Sequence, residues 1–216
     1  MAENPTALTP PSPLQQKILK HVASMVKTGS SVLDVGCGDG HLLNLLARER
    51  GVRARGLEIS RSGVSMCVAR GLSVVQGDAN TDLVDYPDKA FDYVVLTQTI
   101  QAMDRPLDIL NQSLRIGNYV IVSTPNFAHW KLRLDLLLNG RMPRSRSLPS
   151  HWYHTDNIHL CTLTDFIDLC NDNDIKIEKS YAGRPGQVPS AFSPSGLSQS
   201  FANLRAREAI FLLRRK

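Results

Sequence analysis

Gly36, Gly38 and Gly40 stand at every second position after the run Ser31-Val-Leu-Asp-Val35, and Leu42, Leu43, Leu45 and Leu46 follow at helical spacing. An apolar strand, a turn of glycines and a helix make a cradle for a ligand. Glycines admit positive φ and let a ligand approach the bare backbone. The helix start adds unpaired N–H groups and the positive end of its dipole. Asp34 just before the turn and Cys37 within it belong to the same segment. The pattern G-x-G-x-G differs from the G-x-G-x-x-G of dinucleotide sites, because His41 stands where the longer spacing puts its last glycine. A helix-breaking turn without a ligand is the plainer alternative, and a poor account of three glycines in five residues.

Acids follow where such a cradle needs them. Arg53 to Ile59 reads as a second strand, with Glu58 placed 18 residues past Gly40. A doubly wound sheet sets an acid there against ribose hydroxyls; an ordinary surface carboxylate is the alternative. Leu72 to Gln76 reads as a third strand, followed by Gly77, Asp78 and Ala79, where Asp also suits a turn. Phe91 to Thr97 reads as a fourth strand, with Thr97 and Gln98 at its carboxyl end, the edge at which open α/β sheets bind ligands.

Asp34-x-Gly-x-Gly-x-Gly40 resembles the first motif of the S-adenosylmethionine (SAM) methyltransferase fold. The resemblance implies SAM or S-adenosylhomocysteine as cofactor. It implies a hydrogen bond from the adenine amino group to Asp78, with the following N–H, that of Ala79, against the ring. It also sets the strand end Thr97-Gln98-Thr99 beside the methionine moiety and any methyl acceptor. The candidate cofactor residues are Asp34, Gly36, Cys37, Gly38, Gly40, Glu58, Ile59, Asp78, Ala79, Thr97 and Gln98. NAD fails on the glycine spacing. Cys37 has the helix-start setting of a reactive thiol, although its small size alone suits the turn.

The elements that position these residues alternate. Leu14, Ile18, Leu19, Val22, Met25 and Val26 form one helical stripe. Further helices are expected over 39–50, 61–70 and 104–113, a fifth strand from Tyr119 to Ser123, and a late helix from Thr164 to Asn173. Ile175 to Tyr181 and Ala209 to Leu213 read as final strands. The class is α/β, a Rossmann-like, seven-stranded, mostly parallel sheet with helices on both faces and an antiparallel last strand. Gly183 to Ser200, rich in Gly, Pro and Ser, reads as a flexible loop. Residues 1–13 read as a disordered tail, and 14–216 as a single methyltransferase-like domain with an insert at about 125–162.

Composition narrows the function classes. The 216 residues are 42% hydrophobic, enough for one sizeable core. No apolar run approaches a membrane span and the N-terminus lacks the pattern of a secretory signal. Cys37, Cys67, Cys161 and Cys170 show no C-x-x-C pairing, in keeping with free thiols and a cytoplasmic location. The net charge of +5, with an aromatic content of 6% and no nucleic-acid-binding module, points to solvated faces or an acidic protein surface, not nucleic acid.

The segment after the fifth strand carries a second, more specific resemblance. Pro125, Asn126, Phe127, His129 and Trp130 are followed by Gly140 to Pro143. Trp152, Tyr153, Thr155, Asn157, Ile158, His159, Cys161 and Thr162 come next. In that order they resemble the P-N-F-G-H-W, G-R-M-P, W-Y-x-T-P-N-I-H and C-T motifs of the methionine-biosynthesis protein MetW family. The likeness covers about residues 14 to 180. Ala128, Asp156 and Thr124 depart from the usual Gly, Pro and Phe. They leave the cofactor residues untouched and alter the surface of the insert.

His151, His154, Asp156 and His159 match no metal-ligand spacing, so no metal is expected. Trp130 and Trp152 with Arg133, Arg141, Arg144 and Arg146 give the insert the composition of a binding surface or of core, in equal measure. The resemblance implies a SAM-binding partner that supports homoserine O-acyltransferase (MetX), with SAM sensed as the pathway's end product. The alternative is an active class I SAM-dependent methyltransferase acting on a small molecule. His129 and Tyr153 are the base candidates for it, though neither lies in a catalytic motif, so the catalytic residues stay unassigned.

Overall fold

The structure, a computed structural model, describes residues 11–144, 151–155, 157–184 and 186–216. Pro13 opens α1 (Pro13–Met25) at a position where a helix needs no N–H, and the Ser12 hydroxyl caps it by accepting the Gln15 N–H. Four residues of the expected stripe, Ile18, Leu19, Val22 and Val26, are buried. Alternation then runs β1 (Ser31–Val35), α2 (His41–Arg50), β2 (Arg53–Glu58), α3 (Arg61–Ala69), β3 (Val74–Gln76) and α4 (Ala79–Asp82). It continues with β4 (Phe91–Thr97), α5 (Pro106–Ile116), β5 (Gly117–Pro125) and α6 (Trp130–Asn139). The chain closes with α7 (Leu163–Asp172), β6 (Ile175–Gly183), β7 (Ser190–Ala191), α8 (Gly196–Arg205) and β8 (Glu208–Arg215).

The strands join one sheet in the order β3-β2-β1-β4-β5-β8-β6-β7. β1 to β5 pair in parallel, and β8 runs antiparallel between β5 and β6. Side chains of a strand alternate between faces, so each central strand feeds two cores. Leu33, Val35, Val94, Leu96, Val120 and Val122 pack on one face with α5 and α7. Val32, Tyr93, Val95 and Ile121 pack on the other with α1 and α2. That two-sided burial is why β1, β4 and β5 are apolar almost throughout.

The Rossmann-like α/β expectation holds, with one strand more than the seven expected. The segment read as a loop from Gly183 to Ser200 contains β7 and the start of α8. β7 has only two residues, both exposed, and so leaves no alternating signal. α8 opens on Gly196 and leaves Leu197 and Phe201 outside the core, which hides its helical face. No described helix is long and apolar enough to cross a membrane.

Candidate functional site

The glycine turn joins β1 to α2 with Gly36, Gly38 and Gly40 all at positive φ, 70°, 56° and 79°. Their roles differ. A Cβ on Gly36 would come within 2.6 Å of Thr99 Cγ2, and one on Gly40 within 2.6 Å of Leu72 and 2.8 Å of Cys67 Sγ. These two glycines permit close packing. A Cβ on Gly38 would meet no atom within 4 Å, so the middle of the turn borders open space. Gly36 and Cys37 donate their N–H groups to the Leu57 carbonyl at 2.8 and 3.3 Å, which moors the turn to β2.

Two further glycines, missed by the sequence reading, hold the turn in place. A Cβ on Gly56 would strike Cys37 Sγ at 2.5 Å, and one on Gly63 would strike the Gly38 carbonyl at 2.8 Å and Glu58 Cγ at 2.9 Å. Gly56 lets the turn lie on β2, and Gly63 lets α3 lie on the turn. A glycine inside a strand is the one signal that pointed to Gly56.

Glu58, buried at the end of β2, accepts the Gly38 N–H at one carboxylate oxygen and the Ser60 N–H at the other, each at 2.8 Å. Asp78 caps α4: its Oδ1 accepts the Asn80 N–H at 2.9 Å and the Asn80 side-chain amide at 3.0 Å. Asp34 is buried behind the turn, and its Oδ2 has no hydrogen-bond partner. Burial, then the negative charge of Glu58, pushes its pKa up to about 7.

A cleft of about 450 Å³ opens at the carboxyl ends of the strands, a size within the range of small-molecule pockets. Gly36, Ile59, Asp78 and Ala79 of the expected set line it. Asn80, Met103, Asp104 and, from the insert, Thr155 and Ile158 also contribute to the walls. Asp34, Cys37, Gly38, Gly40, Glu58, Thr97 and Gln98 are not among the cleft-lining residues. The Cys37 thiol turns back towards Cys67, 4.0 Å away. Burial raises its pKa far above the usual thiol range, so small size, not reactivity, accounts for a cysteine here.

Gln98 follows β4 with a left-handed backbone, φ 58°, that is uncommon for a residue with a side chain. Its N–H donates to Ser123, its side-chain amide donates to Glu208 at 3.1 Å, and its carbonyl accepts the Gln101 amide at 2.7 Å. Burial pushes Glu208 up to about 7, partly offset by the Gln98 bond and by Arg207. Glu208 was not picked out in the sequence, because its role rests on a residue distant in the chain. The insert ties onto the same loop: the His159 N–H donates to the Gln101 carbonyl at 2.9 Å.

The base candidates lie away from the cleft. His129 caps α6, with Nδ1 accepting the Lys131 N–H at 3.3 Å, and burial lowers its pKa. Tyr153 is exposed and stacks on His151. Among the described residues no group of His, Cys, Asp or Glu is arranged to hold a metal. Asp156 and Arg146 lie outside the described residues. A second, larger cavity of about 850 Å³ has Phe127, Arg141, Met142, Arg144 and Trp152 in its lining. It shares Thr155 and Ile158 with the first.

The residues present fit SAM. A bare glycine backbone borders open space at Gly38, a carboxylate lines the cleft at Asp78, and a second acid, Glu58, ends the adjacent strand.

The family model described as methionine biosynthesis protein MetW matches residues 16–213. The chain belongs to the MetW family. The match runs on past Tyr181, where the motif likeness had weakened, and takes in most of β8. A bifunctional methionine biosynthesis protein MetXA/MetW of Rhodopirellula baltica is 32% identical over 167 residues, 73% of this chain. The aligned part spans only 27% of that relative's length. Among solved structures, a SAM-dependent methyltransferase of Thermotoga maritima, a possible histamine N-methyltransferase, superposes with a TM-score of 0.66 at 17% identity, covering 94% of this chain and 89% of that one. The plantazolicin methyltransferase BamL, solved with S-adenosylhomocysteine, gives 0.61 at 16% identity, covering 93% and 83%. The MetW fold is thus the fold of SAM methyltransferases.

Proposed function

We propose that this chain is a SAM-binding accessory protein of methionine synthesis that supports a MetX-type homoserine O-acyltransferase. The observation that carries the reading is the Rhodopirellula baltica relative, whose name joins MetXA and MetW in one polypeptide. Joining two activities in one chain holds them at high effective concentration, as suits modules that work together. The cofactor reading is supported by Gly36, Ile59, Asp78 and Ala79 around one cleft. In it Asp78 accepts the adenine amino group, Glu58 the ribose hydroxyls, and Gly38 gives the backbone room for the ligand. Bound SAM supplies a methyl group on a sulfonium. Here its presence or absence is the signal, and Thr155 and Ile158 carry it from cleft to insert.

Methyl transfer to a small molecule is the second reading, favoured by the larger cavity beside the cleft. Positioning in that cavity would supply the catalysis, since neither His129 nor Tyr153 lines the cofactor cleft. One experiment separates the two. The purified chain is mixed with homoserine acyltransferase, with and without SAM, and binding and acyl transfer are measured together. The accessory reading expects a complex, a change in acyl transfer and reciprocal effects of SAM and partner on each other's affinity. Multiple-turnover methylation of a metabolite by the chain alone, with acyl transfer unchanged, overturns it.

A further inference from the structure

α6 is out of keeping with the rest of the fold. Of its ten residues only Leu132 is buried, while Leu137 is 80% and Leu138 71% exposed. Trp130 and Leu134, each 44% exposed, lie on the same side, because positions 130, 134, 137 and 138 recur at helical spacing. The helix is well capped, by His129 at its start and by Gly140 in a left-handed conformation at its end. Caps specify where a helix lies; they do not explain a row of leucines in water. A ten-residue helix gains most of its stability from packing an apolar face. Among the described residues this one leaves that face uncovered.

The charges on and just after α6 are mostly of one sign. Lys131 and Arg133 lie on the helix, Arg141 and Arg144 follow it, and Asp135 is its one acid. Two copies packed face to face would set these cations against one another, which disfavours a second copy as occupant. Residues 1–10 contain one large apolar side chain, Leu8, besides Met1, too few to cover three leucines. A partner with an apolar groove rimmed by carboxylates matches both the shape and the charge. Recognition of an amphipathic helix by such a groove uses anchors at this spacing.

We infer that α6 is the docking element of this chain, and that Leu134, Leu137 and Leu138 enter an acid-rimmed apolar groove on the acyltransferase. The inference rests on the accessory reading and assigns its contact surface. The α6 leucines are separate from the cofactor cleft, whose lining includes none of them.

The test measures acyltransferase binding by the full chain and by two variants, Leu137→Glu with Leu138→Glu, and Leu137→Ala with Leu138→Ala. Far-UV spectra and SAM affinity show whether each variant folds; the alanine pair, which favours helix, covers the case in which the acidic pair does not. The expected result is roughly 30-fold or greater weakening by the glutamates, the scale of a lost hot spot. A smaller weakening is expected for the alanines, with SAM affinity unchanged. Wild-type affinity in folded variants overturns the inference and leaves the accessory reading standing. No complex with the unaltered chain overturns both. A dimer of the chain alone that the glutamates dissociate also overturns it, assigning the face to a second copy.

Discussion

The Glu58 carboxylate accepts the Gly38 N–H at 2.8 Å, so the acid that ends β2 holds the glycine of the turn that borders open space. One side chain therefore orders the cradle, and under the proposed reading the same side chain meets the ribose. Glu58→Ala removes two charge-assisted hydrogen bonds and should lower unfolding stability by about 1.5–3 kcal/mol. It should also weaken SAM binding about tenfold or more by calorimetry. In the unaltered chain, SAM at 100 times Kd should stabilise by about 2.7 kcal/mol, and NAD should not. Equal thermal shifts with NAD and SAM would sink the cofactor assignment.

Gly36 and Gly38 should fail in different ways when substituted. A Cβ at Gly38 meets no atom within 4 Å, so the main cost of Gly38→Val is the strain of a left-handed backbone, about 1–2 kcal/mol. Its far-UV spectrum should stay near wild type while SAM binding is lost. Gly36→Ala drives a methyl group into Thr99 and should lose stability first. Normal SAM binding by Gly38→Val would place the cofactor elsewhere.

The buried acids set a pH dependence. Asp34 and Glu208 both have pKa values raised to about 7 in the fold. Raised carboxyl groups stabilise fully below their unfolded pKa near 4, and the contribution is lost as pH rises through about 7. His21 and His129, lowered by burial, act the other way: their contribution is lost as pH falls below about 6.5. Comparing Asp34→Asn with the unaltered chain cancels the histidines. The variant should gain about 2 kcal/mol on the unaltered chain between pH 5 and pH 8 in urea unfolding. Parallel pH profiles would show that Asp34 ionises freely.

Ile158 is more than half exposed yet lines both cavities. Ile158→Ala should leave stability within about 0.5 kcal/mol and raise the SAM dissociation rate several-fold in stopped flow. An unchanged rate would mean that the insert does not cover the cofactor.

Arg141→Ala with Arg144→Ala should slow association with the acyltransferase and flatten its salt dependence, leaving the dissociation rate nearly unchanged. Surface plasmon resonance at two ionic strengths reads this directly. A change confined to dissociation would put these arginines in packed contact instead.

What was legible in the sequence follows from what is local. β1 and β4 declared themselves through apolar runs ending in glycine or a polar residue, and α2 through its leucines. Ile59, Asp78 and Ala79 line one cleft, because strand ends fall on one edge of a parallel sheet. The packing roles of Gly56 and Gly63 depend on which atoms lie opposite, and no spacing reveals that. Glu208 meets Gln98 from 110 positions away. α6 was hidden because its leucines alternate with charges as a half-buried strand would.

β8 gives the chain an order of assembly. Its residues, Glu208–Arg215, come last of all strands yet lie inside the sheet, with Val120 opposite Leu213 on one side and Ile177 opposite Leu213 on the other. During synthesis β1 to β5 can pair as they emerge, but β6 has only the two-residue β7 beside it until β8 arrives. Closing β8 onto β5 joins residues far apart in the chain, from Pro125 with Glu208 to Val120 with Leu213, which slows folding. The half-built sheet therefore waits with the β5 edge open, the state most exposed to pairing with another chain.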